Sequence, residues 1–157
     1  MTATKVIGES VKQTNRTFIK SYVEDYAKAI TENYRRYHLN TLNGNLHGNY
    51  PEYAREQLDA IENGTANLMK FKVYSGKRYY KIVQQEFETW EKSRNYGKYA
   101  DGSVHCFVDK ETGDVYKPAS WSAPAKHIRF TFQNVDHLKF LLNPDNVGWT
   151  GGYLYLR

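Results

Sequence analysis

The hydrophobic pattern of this chain changes period once, near Asn67. Before that point Phe18, Ile19, Tyr22, Val23, Tyr26, Ile30, Tyr34 and Tyr37 recur at three- and four-residue spacing. Such spacing places them on one face of an amphipathic helix. The pattern predicts a helix from Thr14 to about His38, capped by Thr14 or Asn15. Arg35, Arg36 and His38 in its last turns complement the helix dipole. At about 1.5 Å per residue the helix would be roughly 36 Å long, and its aromatic stripe is expected to be core. The Asn- and Gly-rich stretch 39–50 reads as a loop. Pro51 then suits the first position of a second helix, PEYAREQLDAIEN, whose apolar face would carry Tyr53, Leu58 and Ile61 and whose stop would be Gly64. Residues 1–13 lack periodicity and read as a flexible arm.

After Asn67 the period becomes two. In LMKFKVY, Phe71 and Val73 alternate with Lys70 and Lys72; in RYYKIVQQEF, Tyr80 and Ile82 alternate with Tyr79, Lys81 and Val83. Ser75-Gly76 between them predicts a β-hairpin. A second hairpin follows: SVHCFVD, a KETG turn with Gly113 in the left-handed conformation, and DVYK, ended by Pro118. In SVHCFVD, Val104, Cys106 and Val108 would share one side and His105 and Phe107 the other. Residues 129–132 and 152–157 are candidate further strands, and 136–142 a short helical turn. The polar segment 88–103 reads as irregular. These elements predict an α+β fold, an N-terminal helical hairpin packed on a four- to five-stranded antiparallel sheet. Residues 14–157 form a single domain, with a helical part over 14–66 and a sheet part over 67–157.

Charge adds an asymmetry. The net charge is +5, yet residues 1–66 hold eight Lys/Arg and eight Asp/Glu, so the whole excess lies in the sheet part. Residues 68–85 carry Lys70, Lys72, Lys77, Arg78 and Lys81 with no acid, interleaved with Tyr74, Tyr79 and Tyr80. Residues 115–135 are also free of acids and carry Lys117, Lys126, His127 and Arg129 among Tyr116, Trp121, Phe130 and Phe132. Lysines on a sheet face can follow a phosphate backbone while aromatic rings take bases. Pro118 and Pro124 stiffen the second segment, and Trp121 is expected to plug the core beneath it. The alternative is a solvated face whose lysines guard a sheet edge.

Candidate chemistry is sparse. The five histidines and the single cysteine show no metal-ligand spacing, so no metal and no cofactor is expected. His105 and Cys106 adjoin, but neighbours on a strand point to opposite faces, which keeps them apart. Cys106 is expected in the core between Val104 and Val108, and His127 as a hydrogen-bonded structural residue. No phosphate-binding glycine loop or nucleophile elbow is present. An enzyme is therefore the lesser expectation. The first residues contain no apolar run, so no secretory leader is expected, and no stretch approaches the roughly 18 apolar residues of a membrane span.

The segment VHCFVDKETGDVYKPASWSAPAKHIRF and the terminal GWTGGYLYLR together resemble small, mostly uncharacterised proteins of tailed bacteriophages. His105, Phe107, Asp109, Gly113, Pro118, Trp121, Pro124, Lys126, Trp149 and the glycines at 151 and 152 carry the resemblance. It covers about residues 68–157 and implies a phage origin, with a location in the infected host's cytoplasm or in the virion. It implies no activity.

Two readings stay open. One is a non-enzymatic nucleic-acid binder using Lys70, Lys72, Lys77, Arg78, Tyr79, Lys81, Lys117, Lys126, His127 and Arg129. The other is a protein-interaction module, a host-factor inhibitor or minor virion component. It would meet a host or phage protein, or a second copy of itself, through the tyrosine-rich helix.

Overall fold

The computed structural model describes residues 2–156, with side chains from Thr17 to Leu156. Helix α1 spans Thr2–Asn45 and α2 spans Pro51–Glu62. Strands β1 Lys70–Ser75, β2 Tyr79–Phe87, β3 Tyr99–Asp109, β4 Asp114–Pro118 and β5 Pro124–Thr131 follow. A short helix α3, Val135–Leu141, and a 3-10 turn, Gly152–Leu154, complete the chain. The strands pair in sequence order as one antiparallel meander. The fold is α+β, with the two N-terminal helices packed against the five-stranded sheet. Helix α1 does not start at Thr14: its backbone begins at Thr2, so residues 2–13, expected as a flexible arm, belong to α1 and Thr14 and Asn15 lie inside the helix.

The helical stripe is core. Ile19, Val23, Tyr26 and Ile30 are buried against Phe71, Ile82, Cys106, Val108 and Val115 from the sheet. Phe18 and Tyr37, at the ends of the stripe, are exposed. The helix does not stop near His38. It continues to Asn45 because Leu42, only 2 % exposed, extends the row Ile30, Tyr34, His38 by one more step of four residues. The Asn and Gly residues after it are tolerated because helix propensity is weaker than burial of that leucine. In α2 the buried residue is Ala54, whereas Tyr53 is 64 % exposed. A small residue lets the two helices approach.

Two expectations about the second half are corrected by local backbone chemistry. The proline-rich segment 118–124 is a hairpin loop: Ala119 and Ser120 donate their N–H groups to the Ala123 carbonyl, and Pro118 faces Pro124 across the ladder. Its Trp121 does not plug the core. It is 47 % exposed. The terminal segment is no strand either. Gly151 takes φ +83° and starts the 3-10 turn, and side chains satisfy backbone groups that a ladder would have used. Asn33 accepts from the Trp149 N–H at 3.0 Å, and Arg129 Nε donates to the Leu154 carbonyl at 2.6 Å. Strand β3 also starts earlier than its apolar run, at Tyr99, because Tyr99, Ala100 and Asp101 pair with β2. Gly113 has φ +74°, the left-handed turn conformation expected of it.

Candidate functional site

The core residues of the sheet define its two faces. Phe71, Ile82, Cys106, Val108 and Val115 look toward α1. Alternation sends their neighbours to the opposite face. Across four pairings that face carries the row Tyr74, Lys81, Phe107, Tyr116 and Ile128, one residue per strand. Lys72 pairs with Val83 beside this row, and Lys70 with Gln85. Tyr79 packs edge-on against both Phe107 and Tyr116, at 5.9 and 6.1 Å. The result is an aromatic and basic surface on the side of the sheet away from α1.

Each lysine on this face lies against a ring. Lys70 Nζ is 3.9 Å from the centroid of Tyr99, Lys72 Nζ 4.8 Å from Tyr74, and Lys81 Nζ 3.9 Å from Trp121. Lys81 also donates to the Trp121 carbonyl at 3.1 Å, which folds the β4–β5 loop over the sheet. One carboxylate shares the surface. Asp101 accepts from Gln85 at 2.7 Å and from Tyr74 at 2.8 Å. Those two hydrogen bonds, then the charges of Lys72 and Lys81, hold its carboxyl below the usual range. A ring contact at an exposed site is worth about 0.5–1 kcal/mol. A hydrogen bond to a charged group is worth about 1.5–3 kcal/mol. The rings therefore aim the lysines without consuming them.

The other basic residues named from the sequence lie elsewhere. Lys77 and Arg78 sit at the β1–β2 turn. Arg78 stacks on Tyr79 and reaches Asp109 at 3.5 Å. Lys126 and His127 are exposed on the edge strand β5. Arg129 is spent on the carbonyls of Leu154 and His127, at 2.6 and 2.5 Å. Lys117 follows Tyr116 and points to the opposite face, where its ammonium lies 4.6 Å from the Tyr155 ring centroid. The second acid-free segment therefore gives rings to this face, while its Lys117 and Arg129 turn elsewhere. Tyr74 and Trp121 were missed as face residues, because which rings meet which lysines depends on cross-strand register.

A second feature overturns the expected separation of His105 and Cys106. Ile82 pairs with Cys106, but the next residue, Val83, pairs with Val104. His105 is thus the extra residue of a β-bulge, and a bulge turns consecutive side chains toward the same side. His105 enters the helix-facing core, and Val104 leaves the side it was expected to share with Cys106. His105 Nε2 lies 2.7 Å from the Tyr153 hydroxyl, which lies 2.5 Å from the Tyr26 hydroxyl. Tyr26 in turn bonds the Cys106 thiol. Burial pushes His105 down to about 4, against a raising hydrogen bond to the Trp149 backbone, and pushes Cys106 up to about 12. Burial likewise raises both tyrosines well above their ordinary value. All four groups are therefore neutral near pH 7, which makes the cluster a packed hydrogen-bond chain and not an activated nucleophile.

Strands β3 and β4 pair only briefly. The β3–β4 ladder consists of two pairs, Phe107 with Tyr116 and Val108 with Val115. Beyond them β3 and β4 diverge, and the gap is a cleft of about 310 Å³ closed by residues 149–155. Ser103, His105, Lys117, Trp149 and Thr150 are among the residues that line it.

A family model described as a family of unknown function (DUF7717) matches residues 6–156. No curated protein and no solved structure matches the chain. The family model spans both helices, the whole sheet and the closing segment, so this protein belongs to that family of unknown function.

Proposed function

We propose that the protein binds single-stranded nucleic acid, with little sequence preference, through the sheet face that carries Lys70, Lys72, Tyr74, Tyr79, Lys81, Tyr116 and Trp121. The observation that carries this reading is the pairing of each face lysine with an aromatic ring. Phosphates of a single strand meet the ammonium groups while its unpaired bases stack on the tyrosines and Trp121. A duplex hides its bases and would use only the charges. Lys117 and Arg129 take no part. The interaction-module reading is the weaker one, because the core of this chain itself uses most of the tyrosine stripe of α1. Among the described residues no helix is long and apolar enough to cross a membrane. The resemblance to tailed-phage proteins supports action within an infected cell or virion.

The test is fluorescence anisotropy with labelled single- and double-stranded oligonucleotides over a salt series. The expected result is preference for the single strand and a log–log salt slope near −2, about 0.7 per phosphate contacted by three lysines. Lys72→Glu combined with Lys81→Glu should flatten the slope and abolish binding at physiological salt. Absence of binding at low salt, or binding unaffected by both substitutions, overturns the proposal.

A further inference from the structure

The cleft between β3 and β4 has a built polar lining that the nucleic-acid face does not use. It exists because the β3–β4 ladder stops after Phe107–Tyr116. His105 lines it. Its ring bonds Tyr153 and the Trp149 backbone, which fastens the closing segment to β3 while the ring itself stays buried. Three separate segments supply lining residues that can donate hydrogen bonds: Ser103 from β3, Lys117 from β4 and Thr150 from the closing segment. Lys117 is the one formally charged residue of the lining, and among the described residues no carboxylate joins it. Its contacts within the chain are weak, a 3.5 Å approach to the Pro118 carbonyl and the ring of Tyr155. Trp149 contributes an aromatic wall.

We infer that this cleft is a binding site for a phosphate monoester, with Lys117 as its charged contact and Ser103 and Thr150 as its hydroxyl donors. One ammonium and two hydroxyls drawn from three segments suit a tetrahedral group with three free oxygens; a planar carboxylate prefers two parallel donors in one plane. A volume of about 310 Å³ lies at the small end for ligand pockets and admits the phosphate with a ring or sugar beside Trp149. The phosphate can belong to a free nucleotide or to the 5′ end of a strand. Neither source depends on the opposite sheet face.

The test is a titration of the 15N-labelled protein followed by amide shifts, with adenosine 5′-monophosphate, adenosine, and a short oligonucleotide with or without a 5′-phosphate. The expected result is saturable movement of the Ser103, Thr150 and Gly151 amides with the phosphorylated ligands, and about tenfold weaker binding in Lys117→Gln. Thr150→Val, at an exposed position, should weaken binding without disturbing the fold. Saturation by the free nucleotide identifies that source; saturation by the phosphorylated strand alone identifies a strand end. Equal binding of adenosine, or no movement of these amides with any ligand, overturns the inference. Shifts confined to β1 and β2 would leave the nucleic-acid face intact while removing this site.

Discussion

His105 stands where regular alternation would have turned it away from Cys106. One extra residue in β3 brings it into the core, and the core must then satisfy an imidazole. Tyr153 and the Trp149 backbone do so, and burial holds the ring neutral down to about pH 4. Its folded pKa lies below the ordinary value of about 6.5, so the unfolded chain binds the proton more readily. The stability contribution is complete above pH 6.5 and is lost as the pH falls toward 4. A shift of this size corresponds to about 3 kcal/mol. Urea unfolding of the wild type and of His105→Gln between pH 7 and 4 should show the gap between them closing as the pH falls. A constant gap would mean that the fold leaves the pKa of His105 at its unfolded value. The tyrosines and the thiol facing it do not titrate in this range. The motif around His105 was legible in the sequence, but the bulge was not, because a register shift is a property of two strands.

Among the elements, α1 shows how a buried side chain decides a boundary. The stretch after His38 has loop composition, yet Leu42 is buried and the helix runs on to Asn45. Leu42→Ala should therefore cost about 2–5 kcal/mol, the range for truncating a buried leucine, measured as the shift of the urea midpoint at unchanged slope. A loop over 39–50 would give almost no change. The hairpin β1–β2 was readable because Phe71 and Val73 alternate strictly with Lys70 and Lys72, and the burial pattern of β1 follows that alternation. The segment 114–130 was harder. Its prolines and tryptophan suggested a stiff segment pinned to the core, but they frame a hairpin whose Trp121 reaches back to Lys81 on β2. That contact joins residues forty positions apart, and no local pattern encodes it.

For the molecule as a whole, the meander places β2 and β3 where core packs on one side and the aromatic face on the other. Ile82, Val83, Cys106 and Val108 are fully buried there. Their amides should exchange hydrogen only through global unfolding, at free energies of about 5–15 kcal/mol. Amides of β5 and of the 88–98 connection should exchange through local opening, orders of magnitude faster. Native-state hydrogen exchange read by NMR checks this, and uniform protection across the sheet would contradict it. Much was determined by the sequence alone: an α+β chain, two helices followed by hairpins, a neutral helical part and a basic sheet part. Those features rest on local periodicity and on counts of charge. The tertiary structure decided which charges share a surface. Pairing register set Lys70, Lys72 and Lys81 among rings on one face, alternation turned Lys117 to the other, and the carbonyl of Leu154 took up Arg129. Local sequence dictates the period of each strand, whereas face and partner follow from how distant strands are registered against one another.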